Sequence, residues 1–194
     1  GADGATTSAL SLGARSASGG NEIGRISGIR GGDTTGDLAF SVKSAANTIT
    51  ERMRISSTGV VTKPANPSFY AYGQSSSDIY AIANNNYVIL TNVSTAPAHD
   101  IGSNYSTSTG KYTTPVAGIY FFQFTWYAPQ AGAYEWLLTD GTTYYNRIAY
   151  TPQGVNQQQC LVFSGKVDAN KQMGIQNTSG GDRSIYIGSQ VHTT

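Results

Sequence analysis

The sequence predicts an all-β protein in two parts, an N-terminal shaft of intertwined strands shared by three chains and a C-terminal β-sandwich. Three observations predict it. Charged residues make up only 12% of the 194 residues, about half the usual ~25% of soluble domains. Their place is taken by Ser, Thr, Asn, Gln, Gly and Tyr, a mixture poor for helices and good for short strands and tight turns. Of 21 Phe, Trp and Tyr residues, 20 lie at or after Phe69, so only the C-terminal part can fill a large core. Finally, apolar residues alternate with polar ones in both parts, the period of a strand with one buried face.

The same composition excludes several classes. The longest apolar stretches, Tyr87–Leu90 and Gly118–Phe122, fall far short of the roughly 20 residues that span a bilayer. With 12 Lys+Arg against 11 Asp+Glu, there is no electrostatic footprint for nucleic acid. Cys160 is the only cysteine, which rules out an intrachain disulfide and a thiolate zinc site within one chain. Gly1–Ser11 lack the charged and apolar regions of a signal peptide, and the first Met is Met53. The chain is therefore expected to be a fragment or processed piece of something longer.

Residues 1–63 form the expected shaft. Ile23, Ile26 and Ile29 are spaced by three. Leu38, Phe40 and Val42 alternate with Ala39, Ser41 and Lys43, and Met53 and Ile55 with Arg52 and Arg54. Ser57-Thr58-Gly59 is a turn signal before Val60 and Val61. Each segment carries too few apolar side chains to offset its ordering entropy alone, whereas three copies wound together would bury them on a common axis. Residues 64–68 are the linker, where Pro64 and Pro67 fix φ and favour an extended connection.

Residues 69–194 read as the sandwich, with turn signals every ~8–15 residues. Tyr87–Asn92 is expected as a short buried strand. In Gly118–Tyr127, Tyr120, Phe122, Phe124 and Trp126 share one face as a core wall. Ile119 and Phe121 on the other face imply cover on both sides at that end. Asp140-Gly141 is a primed hairpin turn. Asp168–Lys171 and Thr178–Arg183 are turns between Gln159–Val167, Gln172–Gln176 and Ser184–Val191.

At Asp100 the residues become specific. Asp100-Ile-Gly-Ser-Asn-Tyr105 and then Thr109-Gly-Lys-Tyr-Thr-Thr-Pro-Val-Ala-Gly-Ile-Tyr-Phe-Phe122 resemble the signature of the complement-q globular head. Ser184–Thr193 resembles that family's last strand. His99 departs from it, standing where the family carries an aromatic. The resemblance covers roughly Pro67 to Thr194 and implies the jelly-roll fold of the tumour-necrosis-factor superfamily, assembled as a homotrimer. Glu51-Arg-Met-Arg-Ile-Ser-Ser-Thr-Gly-Val-Val-Thr-Lys-Pro-Ala-Asn-Pro-Ser-Phe69 is similar to the shaft-to-tip segment of tailed-bacteriophage tail fibres. Together the two imply a viral receptor-binding tip in the extracellular part of a virion. Its partners would be two further copies, the rest of the fibre at the N-terminus, and a host cell-surface glycan or protein. No nucleic acid and no membrane insertion are expected.

Catalysis is not expected. The only histidines are His99 and His192. Asp78, Glu135, Asp140, Asp168 and Asp182 fall in or near turns, where Asp bonds its own backbone. No cofactor is expected; the family resemblance allows an axial calcium, but no spacing marks a site. Trp126 and Trp136 are expected in the core. Candidate ligand contacts lie on the loops around Pro129–Tyr134, Thr142–Arg147 and Thr178–Arg183: Tyr127, Gln130, Tyr134, Tyr144, Tyr145, Asn146, Arg147, Asp182 and Arg183. Aromatic faces with amides nearby suit sugars. The alternatives are a trimerisation module that only registers three fibre chains, or an extracellular complement-q-like adhesin.

Overall fold

A computed structural model describes residues 6–16, 19–31, 35–44, 47–63, 66–72, 79–91, 98–129, 131–151 and 157–186. The protein is all-β, with several antiparallel sheets and no helix among the described residues. The chain divides into two compact units, Gly1–Asn66 and Pro67–Thr194, the division falling inside the proline-bearing stretch 64–68.

The N-terminal unit is one antiparallel meander of β1 (Thr6–Ser16), β2 (Gly19–Arg30), β3 (Gly36–Lys43), β4 (Ile49–Ile55) and β5 (Val61–Thr62), paired in chain order. Its ladders join consecutive strands of a single chain. The reason is local. Between β4 and β5 the Ser56–Gly59 turn, with Gly59 at φ 83° and a Gly59 N–H to Ser56 O bond of 2.9 Å, folds one strand back on the other.

Cross-strand partners point to the same side of a sheet. Leu10, Ile26, Phe40 and Met53 form one row, with Leu38, Ile55 and Val61 in a parallel one. The opposite side carries Ser27, Ala39 and Arg54 in one row and Arg25, Ser41 and Glu51 in the next. One face is apolar, the other charged.

Two β-bulges keep it so. Residues three apart on a regular strand face opposite sides, yet Arg25 pairs with Glu22 at 2.8 Å and Arg54 with Glu51 at 2.6 Å. In β2, Gly24 is opposite Leu12 and Glu22 opposite Gly13, leaving Ile23 extra. In β4, Met53 is opposite Phe40 and Glu51 opposite Ser41, leaving Arg52 extra. The added residue turns each carboxylate to its arginine's side. Arg54 also meets Asp37 at 3.0 Å.

The C-terminal unit holds β6 (Ser68–Tyr70), β7 (Ile79–Ile82), β8 (His99–Ile101), β9 (Tyr105–Ser106), β10 (Lys111–Thr113), β11 (Gly118–Ala128), β12 (Tyr134–Thr139), β13 (Tyr144–Tyr150), β14 (Gln157–Val167), β15 (Gln172–Asn177) and β16 (Arg183–Tyr186). One sheet runs β13-β12-β15-β10-β9, the second β14-β11-β16-β7, and β6 pairs with β8. The first two sheets meet over an aromatic core. Phe122, Phe124 and Trp126 of β11 are buried with Tyr134, Trp136 and Leu138 of β12, Leu161 of β14, Met173 of β15 and Ile185 of β16. The two indoles meet edge-on, 5.9 Å between ring centroids, and Trp126 Nε1 donates to Tyr150 OH at 3.1 Å.

Three local expectations are corrected. Tyr87–Asn92 is not a ladder strand in its described part, 87–91: Tyr87 makes an isolated bridge to Gln176. Its ring lies where Gly174 has no side chain, and a Cβ there would meet the ring at 2.7 Å. The β12–β13 connection is a four-residue loop, Asp140–Thr143, in which Gly141 has φ 93° and Asp140 is not at positive φ. A two-residue primed turn of either type centred on Asp140-Gly141 needs a positive φ at Asp140. Ile119 and Phe121 are uncovered within the chain, 76% and 65% exposed. Of the expected final strand, 187–191 lie outside the described residues.

Candidate functional site

The Asp100–Phe122 residues are fixed by folding. Asp100 caps its loop, accepting the Asn104 and Tyr105 N–H groups at 3.0 and 2.9 Å. Tyr105 OH in turn accepts the Leu90 N–H at 2.9 Å. Gly110, at φ 69°, lies so close to the Val88 carbonyl that no Cβ fits. Tyr112 is buried and stacks on Phe69, centroids 4.6 Å apart. Burial, with Tyr120 and Asp100 nearby, pushes its phenol up to about 12. Buried Thr114 donates to Asp168 O at 2.7 Å and accepts the Lys171 N–H at 2.9 Å. Tyr120 OH reaches back to Val116 O at 2.7 Å. These residues build a scaffold, and a recognition surface must be sought on the loops it carries.

The loops form two groups. Ala133 and the 178–183 turn meet at one end of the unit, where the Arg183 Nε donates to Ala133 O. The 140–144 loop lies at the opposite end, because β12 runs from Tyr134 beside Tyr150 to Thr139 beside Tyr144. The nine candidates therefore do not form one site.

At the first end Tyr134 is corrected to a core residue. It is 2% exposed, stacks on Tyr150 at 5.3 Å and donates to Ser184 O at 3.1 Å. Arg183 lies over its ring, 5.5 Å from the centroid, and also donates to Asp182 O at 2.8 Å. Asp182 accepts the Asn84 N–H at 3.2 Å, and Asn84 Oδ1 accepts the Gly180 N–H at 3.0 Å. Asn177, fully buried, ties the two loops together by donating to Ile82 O at 2.8 Å and Gly181 O at 3.0 Å. Asn85 and Asn86 project beside them, exposed. Tyr127 is half-buried, its OH 3.4 Å from Gln158 Oε1. Gln130 lies outside the described residues.

On β13 the candidates divide. Tyr144 is 72% exposed. Tyr145 packs edge-on against Phe163 at 5.6 Å, its OH 3.4 Å from Asp140 Oδ2. Asn146 donates to Val162 O at 2.5 Å, tying the edges of the two sheets. Arg147 reaches Glu135 Oε2 at 3.8 Å with its side chain 65% exposed. Tyr144 and Arg147 are thus the exposed groups of this strand, whereas Tyr145 and Asn146 serve the fold.

Asp140 bonds the backbone of its own loop, as expected of a turn carboxylate, and in addition pairs with a distant lysine. Its Oδ1 accepts the Thr142 and Thr143 N–H groups at 2.9 and 2.7 Å, while Oδ2 pairs with Lys171 Nζ at 3.0 Å. Burial raises its pKa, but the Thr143 and Thr142 amides and the Lys171 ammonium outweigh it, holding the carboxyl well below the usual range. Among the described residues no group of three His, Cys, Asp and Glu side chains gathers to hold a metal ion. Asp78 and His192 lie outside them. No protein-family model and no curated protein matches the chain.

The paired bulges went unread, although the sequence carries their signal. Glu22-Ile-Gly-Arg-Ile-Ser27 and Glu51-Arg-Met-Arg-Ile-Ser56 share the pattern Glu-x-x-Arg-Ile-Ser. A carboxylate three residues before an arginine in a strand is misplaced unless an extra residue intervenes.

Proposed function

We propose that the chain is the distal part of a tailed-bacteriophage tail fibre, a homotrimeric shaft and jelly-roll tip that adheres to a host cell-surface glycan. The carrying observation is the outer face of the β14-β11 pair. Ile119, Phe121 and Val162 stand exposed there, across the sheet from a closed core. An apolar strip of this kind marks an interaction surface, and two further copies would cover it. The strand order supports the jelly-roll reading, since the chain passes repeatedly from one sheet to the other between β10 and β16. Self-association through that face leaves the loops and the outer side of β13 as the free surface, with Asn85, Asn86 and Asp182 on loops and Arg147 on β13 presenting amide, carboxylate and guanidinium groups suited to sugar hydroxyls. Three weak sites per tip, repeated over several fibres, raise avidity through effective concentration.

The test is binding of the whole chain to a bacterial panel and a glycan array, beside Arg147→Ala and Asn85→Ala variants. Binding by the native chain that either variant reduces severalfold supports adhesion through the surface around that residue. Absence of binding from a correctly assembled trimer overturns it in favour of a registration module.

A further inference from the structure

The β1–β5 sheet is a single layer with an uncovered apolar face. Leu10, Leu12, Leu38, Val42 and Val61 are all exposed on it, flanking the half-buried Phe40. The charged pairs of Glu22, Arg25, Asp37, Glu51 and Arg54 belong to the opposite side. Arg30, at the last position of β2, is the described charge that alternation brings to the apolar face, and it stands at the rim.

We infer that this face is where copies of the chain pack on one another, with Leu38, Phe40 and Val42 of the central strand turned inward and the arginine–carboxylate pairs outward. The inference rests on the homotrimer reading and adds the face, its residues and the direction of the charges. A second copy suits the face for three reasons. An apolar strip without internal charge is complementary to itself. Five large apolar side chains stand 39–61% exposed on each copy, surface that a specific interface between copies would remove from water. The bulges at Ile23 and Arg52 are what keep two carboxylates off this face, a device a solvent-facing sheet has no need of. Because β3 is central, its residues from neighbouring copies come closest.

The experiment uses the full chain with Cys160→Ser, native mass measurement, and a short bismaleimide on two single-cysteine variants. Val42→Cys lies on the apolar face; Thr62→Cys, opposite Arg54 and exposed, lies on the charged one. A trimer in which Val42→Cys crosslinks copies severalfold more than Thr62→Cys supports the inference. A trimer that crosslinks equally, or better through Thr62→Cys, overturns the face while leaving the homotrimer standing. A monomeric native chain overturns both. Phe40→Asp is expected to abolish the Val42→Cys crosslink, and retention of the trimer with that crosslink intact overturns the inference even if the variant is less stable.

Discussion

The two units use the same period-2 alternation to opposite ends. In the C-terminal unit two sheets close on each other, so Trp126 and Trp136 reach 0% exposure without help from another chain. In the N-terminal unit the described residues form one sheet with no second layer, and its most buried side chains, Ala39 and Ser27, are small ones beneath arginine–carboxylate pairs. An alternating pattern thus reports that a face must be covered, not by what. The number of large side chains supplies the rest, since aromatics bury the most surface per residue and all but Phe40 lie beyond the division.

The contrast breaks most sharply at the core. Trp126→Ala is expected to cost about 3–5 kcal/mol, the range for emptying a buried aromatic site, and it also removes the donor to Tyr150. Both tryptophans lie in the C-terminal unit, so the remaining Trp136 fluorescence follows that unit alone in a thermal melt. The Val42→Cys crosslink should survive the substitution, which would show the N-terminal sheet to be stabilised independently of that core.

Next comes Asp140. Asp140→Ala is expected to cost about 2–3 kcal/mol, because it leaves the Thr142 and Thr143 amides without their acceptor; Lys171, partly exposed, returns to water. Asp140→Asn should cost roughly 1–2 kcal/mol, since its amide oxygen still accepts from Thr142 and Thr143 and only the charge is lost. Equal costs would mean that the two amide bonds contribute nothing. The sign with pH follows from the depressed carboxyl: its stabilisation is complete above the ordinary Asp value of 3.8 and is lost as pH falls through the lower folded value.

Tyrosines give the opposite limb. Burial pushes Tyr112 and Tyr150 up to about 12 from 10.0, so folding favours the protonated phenol. Their contribution is complete below pH 10 and lost as pH rises toward 12. Chemical denaturation across that window, followed by Trp fluorescence, should show stability falling with pH, and Tyr112→Phe should flatten the decline. The N-terminal unit has no tyrosine and should show no such limb.

Much of the sandwich was legible because one strand can announce its own faces. Tyr120, Phe122, Phe124 and Trp126 alternate, and the aromatic density marks the inner side. Tyr134 misled because Gly132-Ala133 before it reads as a loop, while Tyr150, on which it stacks, lies 16 residues on. Asp140-Gly141 reads as a two-residue turn because Lys171, the partner that holds Asp140, belongs to β15's approach and not to the hairpin. Glu22 and Glu51 mislead for another reason: strict alternation puts each on the wrong face, and the Glu-x-x-Arg spacing that signals an extra residue is visible only when the two segments are set side by side.

That extra residue supplies the mildest test. Deleting Arg52 removes the bulge but leaves Met53 opposite Phe40 and Glu51 opposite Ser41, so Glu51 and Arg54 become two residues apart and share a face by ordinary alternation. The expected change is within about 1 kcal/mol, as for alterations away from a core, with the trimer and the Val42→Cys crosslink retained. Deleting Met53 shortens β4 equally, but brings Arg52 opposite Phe40 and sets a charge in the middle of the apolar face. Native mass should then show dissociation on dilution where the Arg52 deletion shows none. If the two deletions behave alike, strand length rather than the sidedness of the sheet governs assembly, and the bulges have no part in keeping that face apolar.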